Sequence, residues 1–297
     1  MFDVISIGSS LVDIFLDVPK LQLRAGEKVE LKMMKVFSGG GGTNTAVGFA
    51  RLGFKTALMS ETGKDNFASV ILGELQREGV DTSLIVREKL EQTGGSVILV
   101  GKQGARTALV HRGASSMLDP YDVAPFWLSQ TNWVHLTNIA GQEETLRKIF
   151  LIVKKNPQTV MSWNPGKQEL QLIADGKLKV ADIPVKVLIL NDTEWEMVAK
   201  QQAALIKEIP EIVVTEGEKG GYVYEHGKKT LRFLGAQVKS VDDTGAGDAF
   251  STGYVAGQLL KKPTKTCVEW GVRNAGSVIG QWGAKLGLLD RLRIARV

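Results

Sequence analysis

A single cysteine, Cys267, in 297 residues leaves no intrachain disulfide available. That scarcity fits a reducing compartment and excludes a disulfide-stapled secreted scaffold. No stretch approaches the ~18 consecutive apolar residues that a membrane span needs. Residues 1–8 lack a basic lead and alternate Val4, Ile5 and Ile7 as a first strand would, rather than as a signal peptide. The expectation is a cytoplasmic protein with no membrane partner. Charge of one sign is not concentrated either. The formal net charge is +5, and the densest basic pairs, Lys228 with Lys229 and Lys261 with Lys262, are too short for a nucleic-acid arm. Two phosphate-binding signatures are missing. No glycine run is followed by Lys-Ser or Lys-Thr at P-loop spacing, and the turn Gly8-Ser9-Ser10-Leu11-Val12 lacks the three spaced glycines of a dinucleotide fingerprint.

What is present is an ordinary globular composition, 43% hydrophobic and 23% charged. Short β-like runs at 3–7, 55–60, 133–136, 159–163, 185–190 and 212–215 alternate with helical patterns at 44–52, 68–78, 142–154, 192–208, 246–260 and 266–280. The runs at 185–190 and 212–215 are almost continuously apolar, as strands buried on both faces are. Such alternation predicts an α/β fold around a mostly parallel sheet. Two segments break it. Residues 14–37 are extended without a clear helix, and 94–112 read as a hairpin: strands at 96–100 and 106–111 joined by a turn at 101–104. Together they predict a small β-sheet beside the main one, either decorative or a lid over a site.

Two glycine-rich segments carry the chemistry. In Asp242-Asp243-Thr244-Gly245-Ala246-Gly247-Asp248, small residues sit before a helix, where backbone N–H groups and the helix dipole make an anion hole. Asp248 beside it is either an N-terminal cap or a base that accepts a proton from an attacking hydroxyl. In Ser38-Gly39-Gly40-Gly41-Gly42-Thr43-Asn44, four glycines in a row form either a flexible loop or a backbone that passes close to a ligand.

The order, spacing and content of these segments resemble the ribokinase-like (PfkB) family of carbohydrate and nucleoside kinases over nearly the whole chain. The resemblance implies a single three-layer α/β/α domain over 1–297, with a mostly parallel central sheet and a small β-sheet lid formed by about 14–37 and 94–112. It implies an ATP-dependent kinase acting on a hydroxyl of a small sugar, with Mg²⁺. In that pattern Asp248 matches the catalytic base, and Gly245, Ala246 and Gly247 the anion hole. Asp13, Gly40, Gly41 and Asn44 match substrate contacts. Asn191, Thr215, Gly217, Gly220 and Asn274 match nucleotide contacts. Glu194, in Asn191-Asp192-Thr193-Glu194, matches an acid that organises Mg²⁺ through water; charge in a first helical turn is the plainer reading. Some members bind a potassium-type ion, an expectation that falls on Asp242 and Thr244, and the lid often makes homodimer contacts.

The chain departs from the ribokinase pattern at Gly41, where lysine is usual, and at Leu11, where asparagine is. Ser162 and Gly166 replace an aspartate and an arginine, which argues against a phosphorylated sugar. Arg106 and Arg112, on the small sheet, either replace that anion contact or, the better-supported reading, are solvated strand charges. A nucleoside acceptor is the nearest alternative, with Phe15 and Phe37 as candidate base contacts. A non-catalytic sugar or nucleotide sensor is the alternative of another class.

Overall fold

The computed structural model describes residues 1–101 and 106–296. The turn expected at 101–104 lies, beyond Gly101, outside the described residues. The strands are β1 (Val4–Ile7), β2 (Leu11–Asp17), β3 (Met33–Gly39), β4 (Thr56–Thr62), β5 (Ile85–Arg87), β6 (Gly94–Val100), β7 (Arg106–His111), β8 (Trp133–Leu136), β9 (Val160–Trp163), β10 (Val187–Asn191), β11 (Glu211–Thr215), β12 (Gly221–Glu225) and β13 (Lys228–Phe233). The helices are α1 (Gly41–Arg51), α2 (Asn66–Arg77), α3 (Pro125–Ser129), α4 (Glu143–Lys155), α5 (Lys167–Ala174), α6 (Asp192–Met197), α7 (Gln202–Glu208), α8 (Ala246–Leu259), α9 (Thr264–Ile279) and α10 (Arg291–Ala295). None is long and apolar enough to cross a membrane among the described residues.

Nine strands form the main sheet in the order β13-β12-β11-β10-β9-β8-β1-β4-β5. The pairings from β11 to β5 are parallel, and β12 and β13 add an antiparallel edge. Period-two alternation sends Leu188, Leu190, Ile212 and Val214 to one face, where Leu146, Phe150, Leu170 and Trp195 of α4 to α6 cover them. Val187, Ile189 and Val213 face the other way, against Phe49 of α1, Tyr254 of α8 and Val268 of α9. The result is helix layers on both faces of one sheet, as expected. The chain leaves β1 toward β4 and β5, then returns to β8 on the other side of β1. That reversal of order opens a crevice at the C-terminal ends of β1 and β8, the place where open α/β sheets hold ligands.

The second sheet has four strands in the order β3-β2-β6-β7. Its register places Asp13 opposite Ser96, Phe15 opposite Ile98, and Val100 opposite Arg106. Asp13, Phe15, Ser96, Ile98, Val100 and Arg106 therefore share one face, and on it Phe15, Ile98 and Val100 pack with Phe37 and Trp282.

Two expectations are corrected. The segment 192–208 is not one helix: α6 ends at Met197, a 3₁₀ turn covers Ala199–Gln201, and α7 follows. The side chain of Gln202 donates to the Trp195 carbonyl at 3.0 Å, an acceptor that a continuous helix would pair with the Ala199 amide. The four-glycine run is not a loop either. Gly39 closes β3, Gly40 turns at φ 94°, and Gly41 and Gly42 already lie in α1.

Candidate active site

The first turn of α1 lies deep in the crevice because its first two residues, Gly41 and Gly42, carry no side chains. A Cβ on Gly42 would stand 2.6 Å from the Gly8 carbonyl oxygen after β1. One on Gly41 would stand 2.8 Å from the Thr137 hydroxyl after β8. Gly40 needs its positive φ to turn the chain against Ser9, whose carbonyl accepts from the Gly42 amide at 3.0 Å. The first turn of α8 abuts that of α1. Asn44 Nδ2 donates to Asp248 Oδ2 at 2.8 Å across 204 residues of sequence.

Asp248 is the third residue of α8, not its cap; Gly245 caps the helix with φ 78°. A Cβ on Gly245 would stand 2.3 Å from that of Ala284, whereas one on Gly247 would meet nothing within 4 Å. The Ala246 amide already donates to the Asp243 carbonyl at 3.2 Å. The first-turn amides of Gly247 and Asp248 have no carbonyl one turn behind them, so the anion-binding capacity rests on these two more than on Ala246. Burial pushes the Asp248 pKa up, and the Asn44 bond and the charge of Lys285 oppose that rise. A carboxylate raised this way is a better proton acceptor near neutral pH than a solvated one.

Asp13 stands on the neighbouring wall. Ser96 Oγ donates to its Oδ1, and a Cβ on Gly39 would lie 2.0 Å from its Oδ2. Its pKa is raised by burial, against the Ser96 bond and the charge of Lys285. Gly40, Gly41, Asn44, Asp13 and Asp248 are thus brought together.

Two cavities continue from Asp248 along the strand ends. The nearer, about 190 Å³, is lined by Asn164, Asn191, Glu194, Asp243, Gly247 and Asp248 among others. The farther, about 100 Å³, is lined by Thr215, Gly217, Gly220, Phe233, Ala246 and Phe250 among others. Asn191 and Glu194 form a capping box: Glu194 N donates to Asn191 Oδ1 at 2.8 Å and Asn191 N to Glu194 Oε2 at 2.9 Å. The capping role is therefore real, and the same pair also faces the cavity. Burial raises the Glu194 pKa and the charge of Asp248 adds to the rise, against the bonds from Asn191 and the charge of Lys167. Among the described residues no cluster of three or more His, Cys, Asp or Glu is placed to hold a bare metal ion, so the carboxylates of Glu194 and Asp243 suit a cation only through its own water shell. Gly217 (φ 57°) and Gly220 (φ 93°) shape the turn from β11 into β12.

Asn274 is not brought to either cavity. It is fully buried, donates to the Ala249 carbonyl at 2.8 Å and to Thr252 Oγ1 at 3.0 Å, and accepts from the Leu289 amide at 2.9 Å. These bonds tie α9 to α8 and leave nothing for a ligand. The monovalent-cation expectation also meets a misfit. Asp242 is completely buried, and Arg106 Nη1 donates to its Oδ1 at 2.6 Å. The Thr244 amide reaches the same oxygen at 2.9 Å, and the Gly283 amide reaches Oδ2 at 2.9 Å. A carboxylate that already carries a guanidinium does not suit a second cation beside it. Arg106 is thus not a solvated strand charge, while Arg112 is exposed as expected.

Sequence reasoning missed Lys285. It is 5% exposed and lies 3.7 Å from Glu74 Oε1. Its Nζ donates to the Ser38 carbonyl, to Ser38 Oγ at 2.8 Å and to Asn44 Oδ1 at 3.2 Å. A lone lysine in Gly283-Ala284-Lys285 carries no pattern that announces this. Trp282 was missed too; it stands edge-on to Phe15, with ring centroids 6.3 Å apart.

The family profile of pfkB family carbohydrate kinases matches residues 1–291. Among curated proteins, the chain is 29% identical to a ribokinase of Haemophilus influenzae, over 96% of this chain and 94% of that one. It is 30% identical to a fructokinase of Escherichia coli, over 74% and 76%. Among solved structures, the nucleoside kinase of Methanocaldococcus jannaschii, described as an archaeal member of the ribokinase family, superposes with a TM-score of 0.85 at 22% identity. The match covers 98% of this chain and 96% of that one.

Proposed function

Given that the chain belongs to the pfkB family of carbohydrate kinases, we propose that it moves the γ-phosphoryl group of ATP onto a primary hydroxyl of a small sugar by in-line displacement. The observation that carries this reading is the placement of Asp248. It is bonded to Asn44 of the glycine-rich first turn of α1 on one side, and it lines the cavity of Asn191 and Glu194 on the other. A base there stands between an acceptor hydroxyl and a nucleotide.

In this reading, Asp13 accepts from sugar hydroxyls, as a carboxylate can from two at once. Asn44, Gly40 and Gly41 complete the subsite. Asp248 takes the proton of the attacking hydroxyl. The acceptor oxygen bonds to the γ-phosphorus, the bond to the β-phosphate oxygen breaks, and ADP leaves with that electron pair. The first-turn amides of α8 hold the charge of the transferring group. Nucleotide lies along Thr215, Gly217 and Gly220. Glu194, beside Asn191, would hold Mg²⁺ through water, and that ion would neutralise phosphate charge. The small sheet serves as a lid that excludes water as a competing acceptor. Its outer face exposes Met34, Val36 and Leu109, an apolar surface suited to a second copy of the chain.

A nucleoside acceptor is the second reading. Its support is the pair of part-buried aromatic rings beside Asp13, Phe37 on the same sheet face and Trp282 on the loop against it, both packed on the buried Phe15. A panel of sugars and nucleosides, read by coupled ADP release with Mg²⁺ present, tests both. Turnover of a sugar supports the first, and turnover confined to nucleosides supports the second. Tight ligand binding with no turnover of any acceptor overturns both in favour of a sensor.

A further inference from the structure

The Arg106–Asp242 ion pair joins two parts of the chain that are 136 residues apart. Arg106 opens β7, at the rim of the small sheet, on the face that carries Asp13 and Phe15. Asp242 lies directly before the turn that caps α8. The two amides bonded to its carboxylate, those of Thr244 and Gly283, fix that turn and the neighbouring loop. Arg106 Nη2 adds a bond to the Val241 carbonyl at 3.1 Å. On the same sheet face, Phe15 packs against Trp282, the residue before Gly283, and Phe37 lies over Gly283 itself. These contacts of the lid with the loop beneath it converge on the backbone that shapes the anion-binding turn.

We propose that Arg106 is a positioning residue that couples closure of the lid to the geometry of the α8 turn, and that its guanidinium takes the place at Asp242 that a monovalent cation was expected to fill. Asp242 is fully buried, and an unpaired carboxylate there would carry an uncompensated charge. With the lid away, Asp242 loses its countercharge, and the turn loses the group that holds its acceptor in place. With the lid down, the fork of Arg106 restores both at once through charge-assisted bonds to a carboxylate and a carbonyl. Water exclusion and a set anion hole then arrive in the same motion. A chain that supplies this charge from its own lid has no need of a cation from solution.

The inference rests on the kinase reading, and its test separates the two. Phosphotransfer is assayed with tetramethylammonium as the sole monovalent cation, then with added K⁺, for the wild type and for Arg106→Lys and Arg106→Met. Amide hydrogen exchange over 239–247 is followed in parallel without substrate. The wild type is expected to be indifferent to K⁺. Arg106→Met is expected to lose turnover by about 10²-fold, the scale of a misplaced catalytic geometry, and to recover part of it with K⁺. Arg106→Lys keeps the charge but not the fork, so its turnover should fall between those of the wild type and Arg106→Met. Exchange at 239–247 should quicken in Arg106→Met and slow again with K⁺, while β1 and β8 stay unchanged. Strong activation of the wild type by K⁺ would overturn the proposal. So would an Arg106→Met variant with wild-type turnover and exchange, or one whose loss K⁺ does not relieve. If the wild type phosphorylates no acceptor, the kinase reading fails, and the exchange measurement alone decides the coupling.

Discussion

Lys285 Nζ stands 3.2 Å from Asn44 Oδ1, and this contact decides which way Asn44 faces. An ammonium has only donors, so the Asn44 carbonyl turns to it and the amide nitrogen turns to Asp248. A line of contacts thus runs from Glu74 through Lys285 and Asn44 to Asp248. Burial drives the Lys285 pKa down, while the charges of Glu74, Asp13 and Asp248 hold it up. Replacing Lys285 with Met keeps the stem and removes the charge. The Asn44 amide is then free to flip, and Asp248 loses an attraction that favours its ionised form. The expected outcome is a turnover reduced by about 10²-fold, as for a misplaced catalytic group, with the acid limb of the pH–rate profile moved to higher pH. A variant that lost activity with an unmoved acid limb would make Lys285 a packing group only.

Asp248 must be ionised to accept a proton, and its pKa lies above the ordinary aspartate value. Activity should therefore fall as the pH is lowered through that raised pKa, at a less acidic pH than a solvated aspartate would give. Asp248→Asn should lower kcat by about 10²–10⁴-fold, the usual worth of a positioned general base. It should leave nucleotide binding and the folded state near wild type, because Asn fits the same space. The residual rate of the variant should lack the acid limb. A kcat/KM profile from pH 4 upward, taken on both proteins, checks each part.

The mostly parallel sheet was legible because buried parallel strands write near-continuous apolar runs, as at 187–190 and 212–214. The α8 turn was legible because glycines are costly to order at a helix start unless the backbone there turns sharply or meets a ligand. The break after Met197 was not, since it depends on Gln202 reaching back to Trp195, a contact with no sequence pattern. Asn274 was misplaced for a related reason: an asparagine between apolar helix positions suits a ligand or a buried tie equally well, and only its three partners decide. Arg106 and Lys285 were invisible because their partners lie 136 and 241 residues away.

The two glycines of the α8 turn should respond to alanine in opposite ways. Gly245→Ala forces a side chain into a left-handed backbone, with its Cβ 2.3 Å from that of Ala284. It should destabilise the fold by more than about 1 kcal/mol. Gly247→Ala meets open space inside a helix and should stabilise it by about 0.4–1 kcal/mol. That open space is also where an anion would approach the amides, so the methyl should weaken ATP binding and raise its KM. Denaturant melts and ATP titrations on both variants check the pair. A Gly247→Ala protein that was more stable and equally active would move the anion site away from this turn.

Glu61, at the end of β4, should give the fold an alkaline weakness. It is 2% exposed and its Oε2 has no partner among the described residues. Burial, then a hydrogen bond with Asp122 and the charges of Asp122, Glu88 and Asp119, push its pKa from 4.5 up to about 9. The native state therefore keeps a proton that the unfolded chain has released. By linkage, the stability from this carboxyl is intact below its unfolded pKa and is lost as pH rises toward the folded one. Glu61→Gln is isosteric, does not titrate and can still donate to Asp122. Its melting temperature should match or slightly trail the wild type near pH 5 and exceed it increasingly toward pH 9. The gain should be about 2–4 °C for each kcal/mol recovered in a chain of this size class. Parallel melting curves for the two proteins across that range would show the gap widening with pH, and a constant gap would mean that Glu61 is ionised in the folded protein.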